Sequence, residues 1–114
     1  MAADKEKVLD NAQKYADKNQ YDKAIKEILK IVDNNCSDCR ILLRLATYYE
    51  RGQYSAEAVQ TMRRIVALYR NEGASQKALA VMKQAQKIDP TNVELTLEAA
   101  ELYGMLSLTH EATL

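Results

Sequence analysis

Leu45-Ala46-Thr47-Tyr48-Tyr49-Glu50-Arg51-Gly52-Gln53-Tyr54-Ser55-Ala56-Glu57-Ala58 holds the pattern that decides the fold: Ala46, a tyrosine three residues on, and Ala58 nine residues after Tyr49. Alanine and tyrosine at that spacing share one face of a helix. The longer step leaves room to end the helix, turn near Gly52, and begin a second helix whose alanine faces back. Small side chains at such a seam let antiparallel helices approach at the short end of the usual ~8–10 Å spacing.

The pattern recurs as Ala12/Tyr15/Ala24, Val66/Tyr69/Ala78 and Ala100/Tyr103/Ala112, so the tyrosines advance by 34, 20 and 34 residues. Each unit is a helical hairpin that cannot cover its own apolar face, and stacking covers it. These residues resemble the tetratricopeptide repeat (TPR) family, whose period is 34 residues. Tyr21, Ile28 and Ile31 extend the likeness in the first unit, and Gly73, Ala85 and Asp89-Pro90 in the third; the family's early tryptophan is absent, and Cys36 stands where proline often closes a unit. The resemblance implies an all-α, right-handed superhelical stack of antiparallel hairpins. Within the family it is similar to the N-terminal TPR segments of larger bacterial scaffold, motility or polarity proteins.

The step of 20 is shorter than a period by about one helix and its turn. Met62, Ile65, Val66 and Tyr69 form one apolar stripe, so a single long helix over 55–71 closes one hairpin and opens the next. Seven helices are expected, near 4–18, 21–34, 39–51, 55–71, 75–88, 92–105 and 109–114. They form one array over 1–114, with hairpins near 4–34, 39–71, 55–88 and 92–114. Asp38 and Ser55 are candidate caps, Thr91-x-x-Glu94 is a candidate capping box, and Asn19, Gly52 and Gly73 lie where the chain must turn. The last hairpin is incomplete. The expectation is an N-terminal fragment of a longer protein, or a second copy covering Leu97, Ala100, Leu102, Leu106 and Leu108.

Sixteen Lys and Arg balance sixteen Asp and Glu, so net charge makes no case for general nucleic-acid or membrane-surface binding. The charged N-terminus is not a secretory signal, and the chain reads as soluble and cytoplasmic. Cys36-Ser37-Asp38-Cys39 lacks the second ligand pair of a structural zinc site and the strands of a thioredoxin-like redox site. His110 has no partner in sequence for acid–base work. Phosphate-binding, nucleophile-elbow, zinc-protease and dinucleotide motifs are absent. No enzyme activity, catalytic residue, cofactor or metal is expected.

Charge placement points to function. All six arginines fall between Arg40 and Arg70, while 89–114 holds five acidic residues and no Lys or Arg. Guanidinium groups bind carboxylates in a bidentate fork, so an arginine-rich stretch is an anion-recognition pattern. The resemblance places the first helix of each hairpin along a concave groove that takes peptides. Counting from the tyrosines, it implies Leu9, Gln13 and Asp17, then Arg40, Leu43, Arg44, Thr47 and Arg51, then Arg63, Arg70, Leu97 and Glu101. The family's clamp for a C-terminal carboxylate uses Lys then Asn, where this chain has Leu9 and Gln13. The reading is a protein-interaction scaffold or adaptor for an acidic partner segment, with no membrane partner. A self-associating structural module and a single-stranded RNA-binding repeat are the competing readings.

Overall fold

The computed structural model describes the backbone of residues 2–32 and 38–112, and the side chains of 5–32 and 38–106. Among the described residues the chain is helical without a strand: α1 (Ala2–Asp17), α2 (Tyr21–Ile28), α3 (Cys39–Arg51), α4 (Ser55–Asn71), α5 (Ser75–Ile88) and α6 (Val93–Ala112). The long helix expected over 55–71 is α4. Two compact units divide the chain, Met1–Ala58 and Val59–Leu114.

In the first unit, Ala12 and Ala16 of α1, Ala24, Ile25 and Ile28 of α2, and Ile41, Leu45 and Tyr48 of α3 form one buried cluster, flanked by Leu9, Tyr15 and Tyr21. The spacings in α1 and α3 are those of one helical face. Ile28 is fully buried, which removes about 1.5–3 kcal/mol of apolar surface cost. In the second unit the buried set is Met62, Ile65 and Val66 of α4, Ala78, Leu79, Val81, Met82 and Ala85 of α5, and Leu95, Ala99 and Leu102 of α6.

The nine-residue step from tyrosine to alanine has a hydrogen-bond origin. The carbonyls of Tyr15, Tyr49 and Tyr69 each accept from the N–H five residues on, at Gln20, Tyr54 and Ala74, all at 2.8 Å. One residue inside each loop, the N–H of Asn19, Gln53 or Gly73 bonds to the carbonyl of Ala16, Glu50 or Arg70. This nested pair ends a helix in a left-handed residue. Asn19, Gln53 and Gly73 have φ of 60°, 68° and 77°. The carbonyls of Gln20, Tyr54 and Ala74 then accept from the N–H of Ala24, Ala58 and Ala78, which starts the next helix. Tyrosine at i and alanine at i+9 are thus two ends of one backbone device.

Gly52 lies in the turn as expected, but it is not the left-handed residue there. Its φ is −81°, and the left-handed residue of that turn is Gln53. Gly52 is small because a Cβ there would lie 3.1 Å from the Tyr48 carbonyl oxygen, 3.1 Å from the Tyr54 ring and 3.2 Å from Tyr21 Cβ. Glutamine bears a steric penalty of about 1–2 kcal/mol in the left-handed region that glycine does not. Gln53→Gly is expected to raise stability by about 0.5–1 kcal/mol after the entropy of the more flexible unfolded chain is subtracted, read as a higher midpoint in urea.

Asp38 caps α3 as expected, its carboxylate accepting from Arg40 N at 3.0 Å and Ile41 N at 3.4 Å. The cap of α6 is Asn92 instead of Thr91: Asn92 Oδ1 accepts from Glu94 N at 3.0 Å and Leu95 N at 3.4 Å. Thr91 is held in the turn that follows Pro90, so the next residue reaches the open N–H groups. Ser55 is the first residue of α4, where the Tyr54 carbonyl already accepts the first helical bond.

α2 stops at Ile28, short of the expected 34. Its end tightens into i→i+3 bonds from Lys30 N to Glu27 O and from Ile31 N to Ile28 O. The seventh helix is not separate, since α6 continues through Ala112. Ser107 stands where the earlier turns have Asn19, Gln53 and Gly73, and it remains helical. With no helix folded back on α6 among the described residues, Ala100 is exposed and Tyr103 is 51% exposed, while Ala12, Ala46 and Val66 at the equivalent position are buried. α6 instead buries the adjacent face through Leu95, Ala99 and Leu102.

Candidate functional site

The first unit contains an open groove of about 350 Å³ between α1 and α3. Gln13, Ala16 and Asp17 line one wall, and Arg40, Leu43, Arg44, Thr47, Tyr48 and Arg51 the other. Six residues picked from the sequence, Gln13, Asp17, Arg40, Arg44, Thr47 and Arg51, thus meet at one place. Leu9, also read as a groove position, packs against the core of the unit.

Gln13 Nε2 donates to Asp17 Oδ1 at 2.8 Å, which fixes the acidic wall. Thr47 Oγ1 donates to the Leu43 carbonyl at 3.0 Å, so its hydroxyl proton is committed to its own helix. Arg40, Arg44 and Arg51 make no salt bridge among the described residues. Tyr48 is 4% exposed, and its hydroxyl has no hydrogen-bond partner among the described residues. A buried hydroxyl left in that state costs about 1–3 kcal/mol relative to a bonded one. Tyr48 is not among the positions implied by counting from the repeat tyrosines, although Arg44, Tyr48 and Arg51 stand at i, i+4 and i+7. A helical projection from Arg44 alone would have placed it in the groove.

The second unit has a groove of about 580 Å³ lined by Gln60, Arg63, Arg64, Val66, Ala67 and Arg70 of α4 and Glu98 and Glu101 of α6. Here the arginines are answered from within. Arg63 Nη1 lies 3.0 Å from Glu94 and Nη2 2.6 Å from Glu98, and Arg70 Nη1 lies 3.5 Å from Glu101. The hydrogen bond that Arg63 donates to Glu98 is the largest influence holding the guanidinium protonated beyond its ordinary range. Leu97 is 60% exposed on α6 and does not line the groove. Counting from the tyrosines puts Arg63, Arg70 and Glu101 along the groove without pairing them. The signal was present: Glu94, Glu98 and Glu101 recur at i, i+4 and i+7, matching the seven-residue step between the arginines.

Cys39 is half-buried at the start of α3, while Cys36 and Ser37 of the C-x-x-C lie outside the described residues, as does the side chain of His110. Among the described residues no group of three or more His, Cys, Asp and Glu could hold a metal ion, and no helix is long and apolar enough to cross a membrane.

Burial raises the hydroxyl pKa of Tyr48 and Tyr49 above 10.0, and the hydrogen bond to Asp22 does so for Tyr54. Each binds its proton more tightly when folded, so this contribution is intact below pH 10.0 and is lost as pH rises through the folded values. Unfolding midpoints in urea are expected to fall as pH increases above about 10, with no matching fall between about pH 7 and 9.

No protein-family model and no curated protein matches the chain. Among solved structures it is similar to the first TPR domain of Spaghetti (RPAP3) bound to the HSP90 peptide SRMEEVD, at 21% identity and a TM-score of 0.50, over 88% of this chain and 93% of that one. The likeness shows that this chain has the fold of a TPR domain.

Proposed function

We propose that the chain is a protein-interaction module whose α1/α3 groove takes an extended acidic segment of a partner. The observation that carries this reading is three guanidinium groups, Arg40, Arg44 and Arg51, facing one groove without a salt-bridge partner among the described residues. Guanidinium groups prefer the paired oxygens of a carboxylate. The peptide held by the TPR domain of Spaghetti supports a peptide as ligand class. Gln13 and Leu9 replace the residues of the family's C-terminal carboxylate clamp, so side-chain carboxylates along the segment are the expected anchors. The resemblance to bacterial N-terminal segments makes a motility, polarity or signalling assembly the first setting in which to seek the partner.

Anisotropy titration of the full chain with a labelled Glu-rich peptide and its Gln analogue tests the reading. The acidic peptide is expected to bind and to weaken with added salt, because exposed charges are screened. Equal affinity for the Gln analogue would remove the arginines from recognition. Tyr48→Phe asks whether the buried hydroxyl turns to the ligand when the groove fills. Removing an unpaired buried hydroxyl is expected to leave stability unchanged or raise it by up to ~1 kcal/mol. If the hydroxyl serves the ligand, the same change lowers peptide affinity by about five-fold.

A second reading, self-association, rests on the exposed face of α6, where Val93 is 68%, Leu97 60% and Tyr103 51% exposed. Sedimentation at two concentrations separates it from a monomeric adaptor: a mass that stays at one chain rejects self-association.

A further inference from the structure

A notch of about 390 Å³ opens elsewhere in the first unit, lined by Asp22, Ile25 and Lys26 of α2, Tyr49 at the end of α3, Tyr54 of the turn, and Glu57 of α4. Its construction departs from that of its sister hairpins in two residues. In the first hairpin Lys23 Nζ sits 5.9 Å from the centroid of the Tyr15 ring, and in the third Lys77 Nζ sits 6.0 Å from that of Tyr69. Both lysines stand eight residues after their tyrosine. An ammonium at that distance is attracted to the negative face of the ring. In the second hairpin the same position is Glu57, so the built-in cation of Tyr49 is replaced by a carboxylate. The residue five after the tyrosine also differs. Gln20 and Ala74 give way to Tyr54, which packs edge-on against Tyr49 with centroids 6.2 Å apart.

The result is two aromatic rings over a buried Ile25 (7% exposed), with two carboxylates and one ammonium among the lining residues. Tyr54 donates its hydroxyl to Asp22 Oδ1 at 2.6 Å, which sets the ring and the carboxylate side by side. The negative faces of the rings do not attract a carboxylate, whereas they do attract a cation. The combination becomes favourable when a cation enters between them.

We propose that this notch receives the ammonium group of a lysine side chain from a partner protein, taking the place that Lys23 and Lys77 fill in the sister hairpins. The alkyl stem lies along Ile25 and the tyrosine rings, and the charge faces Asp22 and Glu57. The site is separate from the α1/α3 groove and does not depend on an acidic segment binding there.

The test is an NMR titration of the full chain with Ac-Gly-Lys-Gly-NH2, with Ac-Gly-Gln-Gly-NH2 as control. Saturable shifts are expected at Ile25, Tyr49 and Tyr54, with a dissociation constant on the order of 1–10 mM for so small a probe. The glutamine peptide should cause none. Glu57→Lys rebuilds the arrangement of the sister hairpins and should weaken the lysine peptide by about ten-fold or more. Glu57→Gln, which adds no competing cation, should give an intermediate loss. Several results would overturn the proposal: equal shifts with both peptides, unchanged binding in Glu57→Lys, or shifts centred on Asp17 of the α1/α3 groove. A Glu57→Lys protein that loses stability while the wild type shows no binding would leave Glu57 serving only the N-terminal dipole of α4, and this too rejects the site.

Discussion

Ala12→Leu is expected to destabilise the protein by about 3 kcal/mol, while Ala100→Leu changes stability by less than ~0.5 kcal/mol. Both alanines stand three residues before a repeat tyrosine, so the sequence gives them equal rank. Their surroundings differ. Ala12 is 0% exposed within the cluster formed by α1, α2 and α3. Three added heavy atoms there force helices apart or side chains out of their rotamers. Ala100 is exposed on α6, where leucine meets water and has nearly the helix propensity of alanine. Urea denaturation of the two variants reads the difference directly, and in a thermal scan it corresponds to a gap of roughly 10 °C. If the two substitutions cost the same, tyrosine–alanine spacing alone would fix the seam, and the account of α6 as a helix lacking a folded-back neighbour would be wrong.

The fold was legible because the repeat mark is a backbone device. A tyrosine at i and an alanine at i+9 report the closing bond at i+5 and the opening bond that follows it. Two residues of ordinary composition therefore located three turns, and the short step between Tyr49 and Tyr69 disclosed the 17-residue α4. The identity of the left-handed residue was less legible. Asn19 and Gly73 suit that conformation, but at the middle turn glutamine adopts it while the adjacent glycine serves close packing. Propensity favours glycine for positive φ, and steric crowding at Gly52 overrode that preference. The end of α6 departs from expectation for the opposite reason: Tyr103 and Ala112 carry the mark, but the backbone of Ser107 stays helical.

Legibility of the candidate site followed the same division. Register along α3 put Arg40, Arg44, Thr47 and Arg51 on one face because helical periodicity is local. What periodicity along one helix could not supply was pairing between helices. Arg63 and Arg70 look like the other arginines in sequence, and only α6 shows that their charge is answered by Glu94, Glu98 and Glu101. The arginines thus divide by what faces them, a distinction that composition and total charge conceal.

That division leads to the largest expected effect on binding. Arg40→Glu combined with Arg44→Glu is expected to lower affinity for an acidic peptide by about 100-fold, near 2.7 kcal/mol, since each change removes an attraction and adds a repulsion. Stability should change little, because neither guanidinium makes a salt bridge among the described residues. Arg63→Glu should show the reverse profile. It places a carboxylate against Glu94 and Glu98 and removes a fork held at 3.0 and 2.6 Å. The Arg63 side chain is 38% exposed and those of its partners 71% and 26%, so solvent screening limits the loss of stability to about 1–2 kcal/mol. Peptide affinity in Arg63→Glu should stay within about three-fold of wild type once the folded fraction is taken into account. Titration of both variants with the Glu-rich peptide, alongside their urea midpoints, gives a two-by-two outcome. An Arg63→Glu protein that remains folded but loses the peptide would move the site to the second unit. A double variant of the α3 arginines that still binds would leave the α1/α3 groove without its role.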